Sequence, residues 1–220
     1  MPASTSGPIP ASTGDGTARP ARRDARRNRD RLLSAALAAF TRDDTSVPLE
    51  TIAREAGVGI GTLYRNFPTR EALVEAVYAA ELDAVTAAAE TLLAELPPLS
   101  ALRAWMDRYA DLVTAKRAMA GSLAPPTAGG RGPTANTRER LTATVATILD
   151  AGARAGDLRA DVDADDVITM LLGVFMSTAA VDRQDRTRRL LDLVVDAVRP
   201  CETDTSGTSP TPHTPTALDG

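Results

Sequence analysis

Residues Leu49 to Phe67 read LETIAREAGVGIGTLYRNF, and their spacing describes two short helices joined by a tight turn. Ile52, Ala53 and Ala56 fall at i, i+1 and i+4, so they share one face of the first helix. Gly57 follows directly, at a helix C-terminus where the left-handed conformation favours glycine. Val58 plugs the turn. In the second helix Leu63 and Phe67, spaced i, i+4, face back toward the first. Its other face offers Ile60, Thr62, Arg65 and Asn66, with Tyr64 beside them. A small Ala53 under the crossing lets the two helices meet closely at a steep angle. The pattern is that of a helix-turn-helix, whose second helix enters the major groove of DNA.

Working outward, a first helix with Leu32, Leu33, Ala36, Leu37 and Phe40 on one face is expected to pack across this pair and complete a three-helix unit. Pro48 suits the start of the helix that follows it. Pro68 interrupts the chain after Phe67, and Thr69 is placed to cap the next helix, with Ala72 the third residue beyond it.

The segment IAREAGVGIGTLYRNFPTREAL resembles the DNA-binding motif of the tetracycline-repressor (TetR) family of bacterial transcriptional regulators. The resemblance spans roughly Arg26 to Leu82 and rests on Gly61-Thr62-Leu63-Tyr64, then Phe67, then Arg70-Glu71-Ala72-Leu73. Two positions depart from the family pattern: Arg70 stands where lysine is usual, and Thr41-Arg42-Asp43-Asp44-Thr45 lacks the customary glycine. The resemblance implies that the long helix after Arg70 links a DNA-binding half to a regulatory half. It also implies a ligand cavity in the C-terminal half and a repressor as the commonest role.

Charge supports a DNA partner once its distribution is considered. The 220 residues carry a net charge of −4, yet Arg19 to Arg70 hold 11 Arg against 6 acids, while the remainder holds 14 Lys or Arg against 23 acids. A net +5 segment on a net −9 body is the asymmetry expected when one end alone meets phosphates. The run Arg22-Arg23-Asp24-Ala25-Arg26-Arg27-Asn28-Arg29-Asp30-Arg31 reads either as a solvated helix start or as a basic arm reaching the DNA backbone or minor groove.

Several chemistries find no support. Cys201 and His213 are the single cysteine and histidine, so no disulfide within the chain, metal cluster or cofactor is expected. No serine or cysteine sits in a recognisable nucleophile setting, and an enzyme is not expected. Gly57-Val58-Gly59-Ile60-Gly61-Thr62 fails as a dinucleotide loop, because it lacks the third glycine and a preceding strand. Gly59 and Gly61 are better explained by close approach of backbone to a DNA phosphate. Asp161, Asp163 and Asp165 mimic the start of a calcium loop, but Asp166 replaces its glycine and Leu172 its closing glutamate; helix capping is the plainer reading. Without a long apolar run or a signal-peptide core, the chain reads as cytoplasmic.

The rest of the sequence is helical in pattern. One long helix is expected from Arg70 to about Glu95, ended by Pro97-Pro98. Another carries Leu99, Leu102, Trp105, Met106, Tyr109, Leu112 and Val113, followed by a short piece around Lys116 to Leu123. Ala124 to Pro133 is a loop by composition. A helix with Leu141, Val145, Ile148 and Leu149 ends near Gly152 or Gly156. Two strongly apolar helices follow, Asp163–Val181, capped by Asp163, and Arg186–Arg199. They carry more apolar surface than one small bundle easily hides, which predicts a homodimer interface.

The expected architecture is all-α. It comprises a disordered tail (1–21), a helix-turn-helix domain (22–69), a helical ligand-binding and dimerisation domain (70–199) and a second disordered tail (200–220). Expected DNA contacts are Arg65, Thr62 and Ile60 on bases, and Tyr64, Asn66, Thr51 and Arg70 on phosphates, with Gly59 and Gly61 allowing close approach. Trp105, Met106, Tyr109, Met119, Met170 and Phe175 are either core residues or the lining of a cavity for a small apolar or aromatic effector. The expectation is thus a ligand-released DNA-binding repressor. A constitutive DNA-binding protein and a helical protein-interaction module are the alternatives.

Overall fold

A computed structural model describes residues 18–42, 47–119, 134–178 and 184–200. Among them there are eight helices and no strand: α1 (Ala18–Thr41), α2 (Leu49–Glu55), α3 (Ile60–Asn66), α4 (Arg70–Glu95), α5 (Pro98–Ala118), α6 (Ala135–Ala155), α7 (Ala164–Ser177) and α8 (Gln184–Ala197). Most of the two expected tails, most of the loop after Thr41, the Ala124–Pro133 loop and the predicted end of the seventh helix at Val181 lie outside the described residues.

Local chemistry sets the ends of these helices. Gly57 takes φ +65°, and the Gly57 and Val58 amides donate to the Arg54 and Ala53 carbonyls at 3.1 and 3.0 Å. That pair of bonds satisfies the last carbonyls of α2 and reverses the chain into α3. Gly156, at φ +77°, ends α6 in the same way, with Gly156 and Asp157 donating to Ala153 and Gly152. Thr69 accepts the Ala72 amide at 3.1 Å to open α4, and Asp163 accepts the Asp165 amide at 2.7 Å to open α7.

The buried apolar residues form two cores. Leu32, Ala36, Phe40, Ile52, Ala53, Leu63 and Phe67 make the first, joined by Leu73, Val74 and Val77 from the start of α4 and by Ala115 and Met119 from the end of α5. The second holds Leu82 to Leu92 of α4 with α5 to α8, centred on Trp105, whose indole N–H donates to the Val85 carbonyl at 3.1 Å. Helix α4 therefore changes partner along its length, and half-buried Tyr78 packs against both cores.

Three expectations shift. The boundary at Thr69/Arg70 cuts through the first core, because the α4 positions that seal α1–α3 come after it. Lys116 to Ala118 are not a separate piece but the last turn of α5, whose stripe continues unbroken through Leu112 and Ala115. Finally, α1 begins at Ala18, so helix extends ahead of the residue 22 boundary.

Candidate nucleic-acid interface

Helix α3 is held by one edge and bare on the other. Leu63 is fully buried and Phe67 nearly so, while Ile60 is 38% and Tyr64 45% exposed, with Gly59, Gly61 and Arg65 also exposed. Thr62 and Asn66 are half-buried at the border. Arg65 lies back along the helix, its Nε donating to the Gly61 carbonyl at 3.2 Å and Nη2 to the Thr62 hydroxyl at 3.1 Å. Asn66 Nδ2 donates to the Thr62 carbonyl at 2.8 Å. Thr51, half-buried on α2, receives Arg54 Nη2 at 3.5 Å. The expected base-reading residues thus share one outward surface, with polar groups tethered only to their own helix.

The two glycines bear on what this surface meets. Gly59 has an ordinary φ of −67°, and Gly61 lies within α3 without a positive φ. A Cβ built at either position meets nothing within 4 Å. Glycine inside a helix costs about 1 kcal/mol relative to alanine, and nothing in the surrounding packing requires it here.

Arg70, expected on a phosphate, also makes contacts within the chain. Its Nη1 donates to the Val47 carbonyl at 2.6 Å, and its guanidinium stands 5.3 Å from the Phe40 ring centroid. It is half-buried and ties the start of α4 to the segment before α2 and to α1. Sequence reasoning also missed Arg29, whose guanidinium lies 4.7 Å over the Phe67 ring at the foot of α3. Thirty-eight positions separate the two, so local spacing carried no signal of that contact.

The arginine run preceding the motif is a helical extension. The first fully buried residue of α1 is Leu32; Arg23, Arg26, Arg27, Arg29 and Arg31 are all exposed. Asp24 engages Arg27 at 3.1 Å and Asn28 accepts from Arg31. The result is a basic helical extension that touches the first core through Arg29, over the Phe67 ring at the foot of α3.

In the C-terminal half Trp105, Met106, Tyr109 and Phe175 meet in the second core. The Trp105 and Tyr109 rings lie 5.5 Å apart, and Tyr109 meets Phe175 edge-on at 5.1 Å. Burial, aided by Tyr78 and opposed by Arg138, pushes the Tyr109 hydroxyl up to about 12. Met119 instead packs in the first core, and Met170 is 39% exposed on α7; neither joins the other four. The three aspartates near α7 are all engaged: Asp161 by Arg159, Asp163 by capping, and Asp165 by a two-pronged contact with Arg138 at 2.8 and 2.6 Å.

Comparison with known proteins gives this geometry a family context. Residues 32–77 match the model described as bacterial regulatory proteins, tetR family, and residues 97–200 match that of the SbtR-like transcriptional regulator C-terminal domain. A TetR transcriptional regulator from Streptomyces coelicolor is 44% identical, covering 79% of this chain and 99% of its own, with a TM-score of 0.70. A TetR regulatory protein from Mycobacterium vanbaalenii is 33% identical over 82% of this chain and 100% of its own, at 0.63. A transcriptional regulator from Cytophaga hutchinsonii, 16% identical over 77% of this chain and 97% of its own, shares the fold at 0.57. No curated protein matches the chain in sequence.

Proposed function

The chain belongs to the tetR family of bacterial regulatory proteins, and from that membership we propose that it is a sequence-specific, ligand-released repressor acting as a homodimer. One observation carries the DNA-binding part: the edge of α3 bearing Ile60, Tyr64 and Arg65 is open, while Leu63 and Phe67 anchor the opposite edge. A helix held this way can lie in a major groove without disturbing its own core. Arg65 is assigned to a base edge, since a guanidinium pairs bidentately with guanine; Thr62 and Ile60 read bases or thymine methyls. Tyr64, Asn66 and Thr51 hold phosphates and set the register. Gly59 and Gly61 let the duplex approach the backbone closely.

The homodimer reading rests on α7 and α8, where Met170, Met176 and Leu193 stand 39%, 57% and 62% exposed. Pairing these faces would set two copies of α3 toward successive major grooves, about 34–36 Å apart for half-sites one DNA turn apart. The effector reading rests on the cluster of Trp105, Met106, Tyr109 and Phe175. A ligand entering there must prefer the spacing that does not fit DNA, because equal affinity for both states shifts nothing.

Selection of bound sequences from a random duplex pool tests the proposal. The expected product is a two-fold symmetric site bound with strong salt dependence. Recovery of no common sequence would leave α3 without a reading role. A constitutive DNA-binding protein would yield the same site but show no small molecule that releases it.

A further inference from the structure

The leading half of α1, Ala18 to Arg31, carries seven arginines against two aspartates, and its only apolar residues are alanine and proline. Between Arg23 and Arg31 every side chain is exposed except half-buried Asn28, and burial begins at Leu32. Apolar packing therefore does not hold this stretch. Its spacing also sets like charges together: Arg22 and Arg26, Arg23 and Arg27, and Arg27 and Arg31 fall at i, i+4, where they repel. A basic helix without a bulky apolar face suits neither a protein groove nor a lipid boundary, since both modes bury such a face. Its chemistry fits a regular polyanion.

Two contacts join this stretch to the candidate reading helix. Arg29 lies 4.7 Å over the Phe67 ring at the end of α3. At the other end, in the turn before α3, a Cβ on Gly57 would meet Arg31 Nη1 at 3.7 Å. Helix α1 thus lies against both ends of α3, and Ala18–Asn28 continue beyond the Arg29 contact for about 16 Å. That reach exceeds the major-groove width of about 12 Å, so with α3 in the groove it is long enough to meet the backbone alongside. The minor groove is closed to it as a helix. A helix is about 10–12 Å across with its side chains, and that groove is about 6 Å wide.

We propose that the leading half of α1 is a second DNA-binding element, lying along the phosphates that flank each half-site and holding them with Arg23, Arg26 and Arg27. These three stand at i, i+3 and i+4 and share a face. The contact reads no base; it adds affinity and footprint to what α3 reads. Its placement rests on α3 occupying the major groove, and the two roles separate by experiment.

Anisotropy titrations of the full chain against the selected duplex, at salt from about 50 to 200 mM, are the experiment. The duplex is used trimmed to its two half-sites and extended by about one DNA turn on each side. The parent should bind the extended form about fivefold or more tighter, with a salt slope steeper by about 0.9 for each added phosphate contact. Arg23→Gln/Arg26→Gln/Arg27→Gln should bind both lengths alike, without the added slope, and keep the parent's base preferences. Only the exposed pair with Asp24 is lost, so helix content by circular dichroism should hold. Arg108→Gln/Arg154→Gln, which removes exposed arginines from α5 and α6, should behave as the parent does. Equal binding of both lengths by the parent, or an undiminished slope in the triple variant, overturns the proposal and leaves α3 its role. Affinity that changes between A·T and G·C flanks of equal length also overturns it, because the arm would then read the minor groove. A parent that selects no common sequence removes the α3 reading instead, and the slope on a random duplex, lowered in the triple variant or not, then decides the arm. A parent that binds no duplex overturns both.

Discussion

Arg65 reaches only its own helix, donating to Gly61 and Thr62, so replacing it removes little from the fold and everything it offers outward. Arg65→Ala should weaken binding to the selected site by roughly 1–3 kcal/mol and relax preference at one base pair. Titrations against single-position variants of the site check this; an equal loss on every sequence would make Arg65 a phosphate contact. Gly61→Ala separates folding from binding more sharply. With nothing within 4 Å of the added methyl, the helix should gain about 0.5–1 kcal/mol in denaturant unfolding, while DNA affinity falls. A variant that is more stable and binds DNA as tightly would remove the close-approach explanation of this glycine. Arg70 gives the opposite pattern, because its contacts are internal. Arg70→Ala should cost about 1–3 kcal/mol of stability and leave the salt slope of DNA binding nearly unchanged.

At the scale of elements, the turn between α2 and α3 was legible because its determinants are local. A glycine after an apolar stripe, with a hydrophobic residue next, is enough to specify the φ +65° of Gly57 and its paired bonds. Thr69 and Asp163 were readable for the same reason: a capping oxygen acts within three residues of itself. What escaped reading acts across distance. Met119 looks like any methionine near the end of α5, and only the return of that helix to α1 places it in the first core. The internal contact of Arg70 escaped likewise, since its acceptor Val47 lies 23 positions away. The local device can be tested directly. Gly57→Ala keeps the space, with only Arg31 Nη1 at 3.7 Å, but imposes a left-handed conformation on a residue with a Cβ. The expected loss is about 1–2 kcal/mol, read as a lowered unfolding midpoint together with weakened DNA binding.

For the whole molecule, charge and apolar surface are sorted to different places: arginines along α1 and α3, and bare hydrophobics on α7 and α8. Met170, Gly173 and Met176 recur at three-residue spacing along one face of α7, and Leu193 stands out from adjacent α8. Side chains of this size left in water across two touching helices call for a cover of matching chemistry. In the proposed homodimer a second copy would supply it by symmetry, because a two-fold interface places the same patch on both partners. A stable pairing needs about 800 Å² from each copy, more than three side chains provide, so half-buried Leu172, Val174 and Leu190 must take part. Leu193→Asp puts a carboxylate at the most exposed of these positions and disturbs no buried contact. The free chain should sediment as a dimer at micromolar concentration and the variant as a monomer with unchanged helix content. The variant should also lose most of its affinity for a two-half-site duplex while keeping weak binding to a single half-site. A parent chain that sediments as a monomer under those conditions would leave the α7–α8 face without its partner, and two-fold recognition of DNA without its basis.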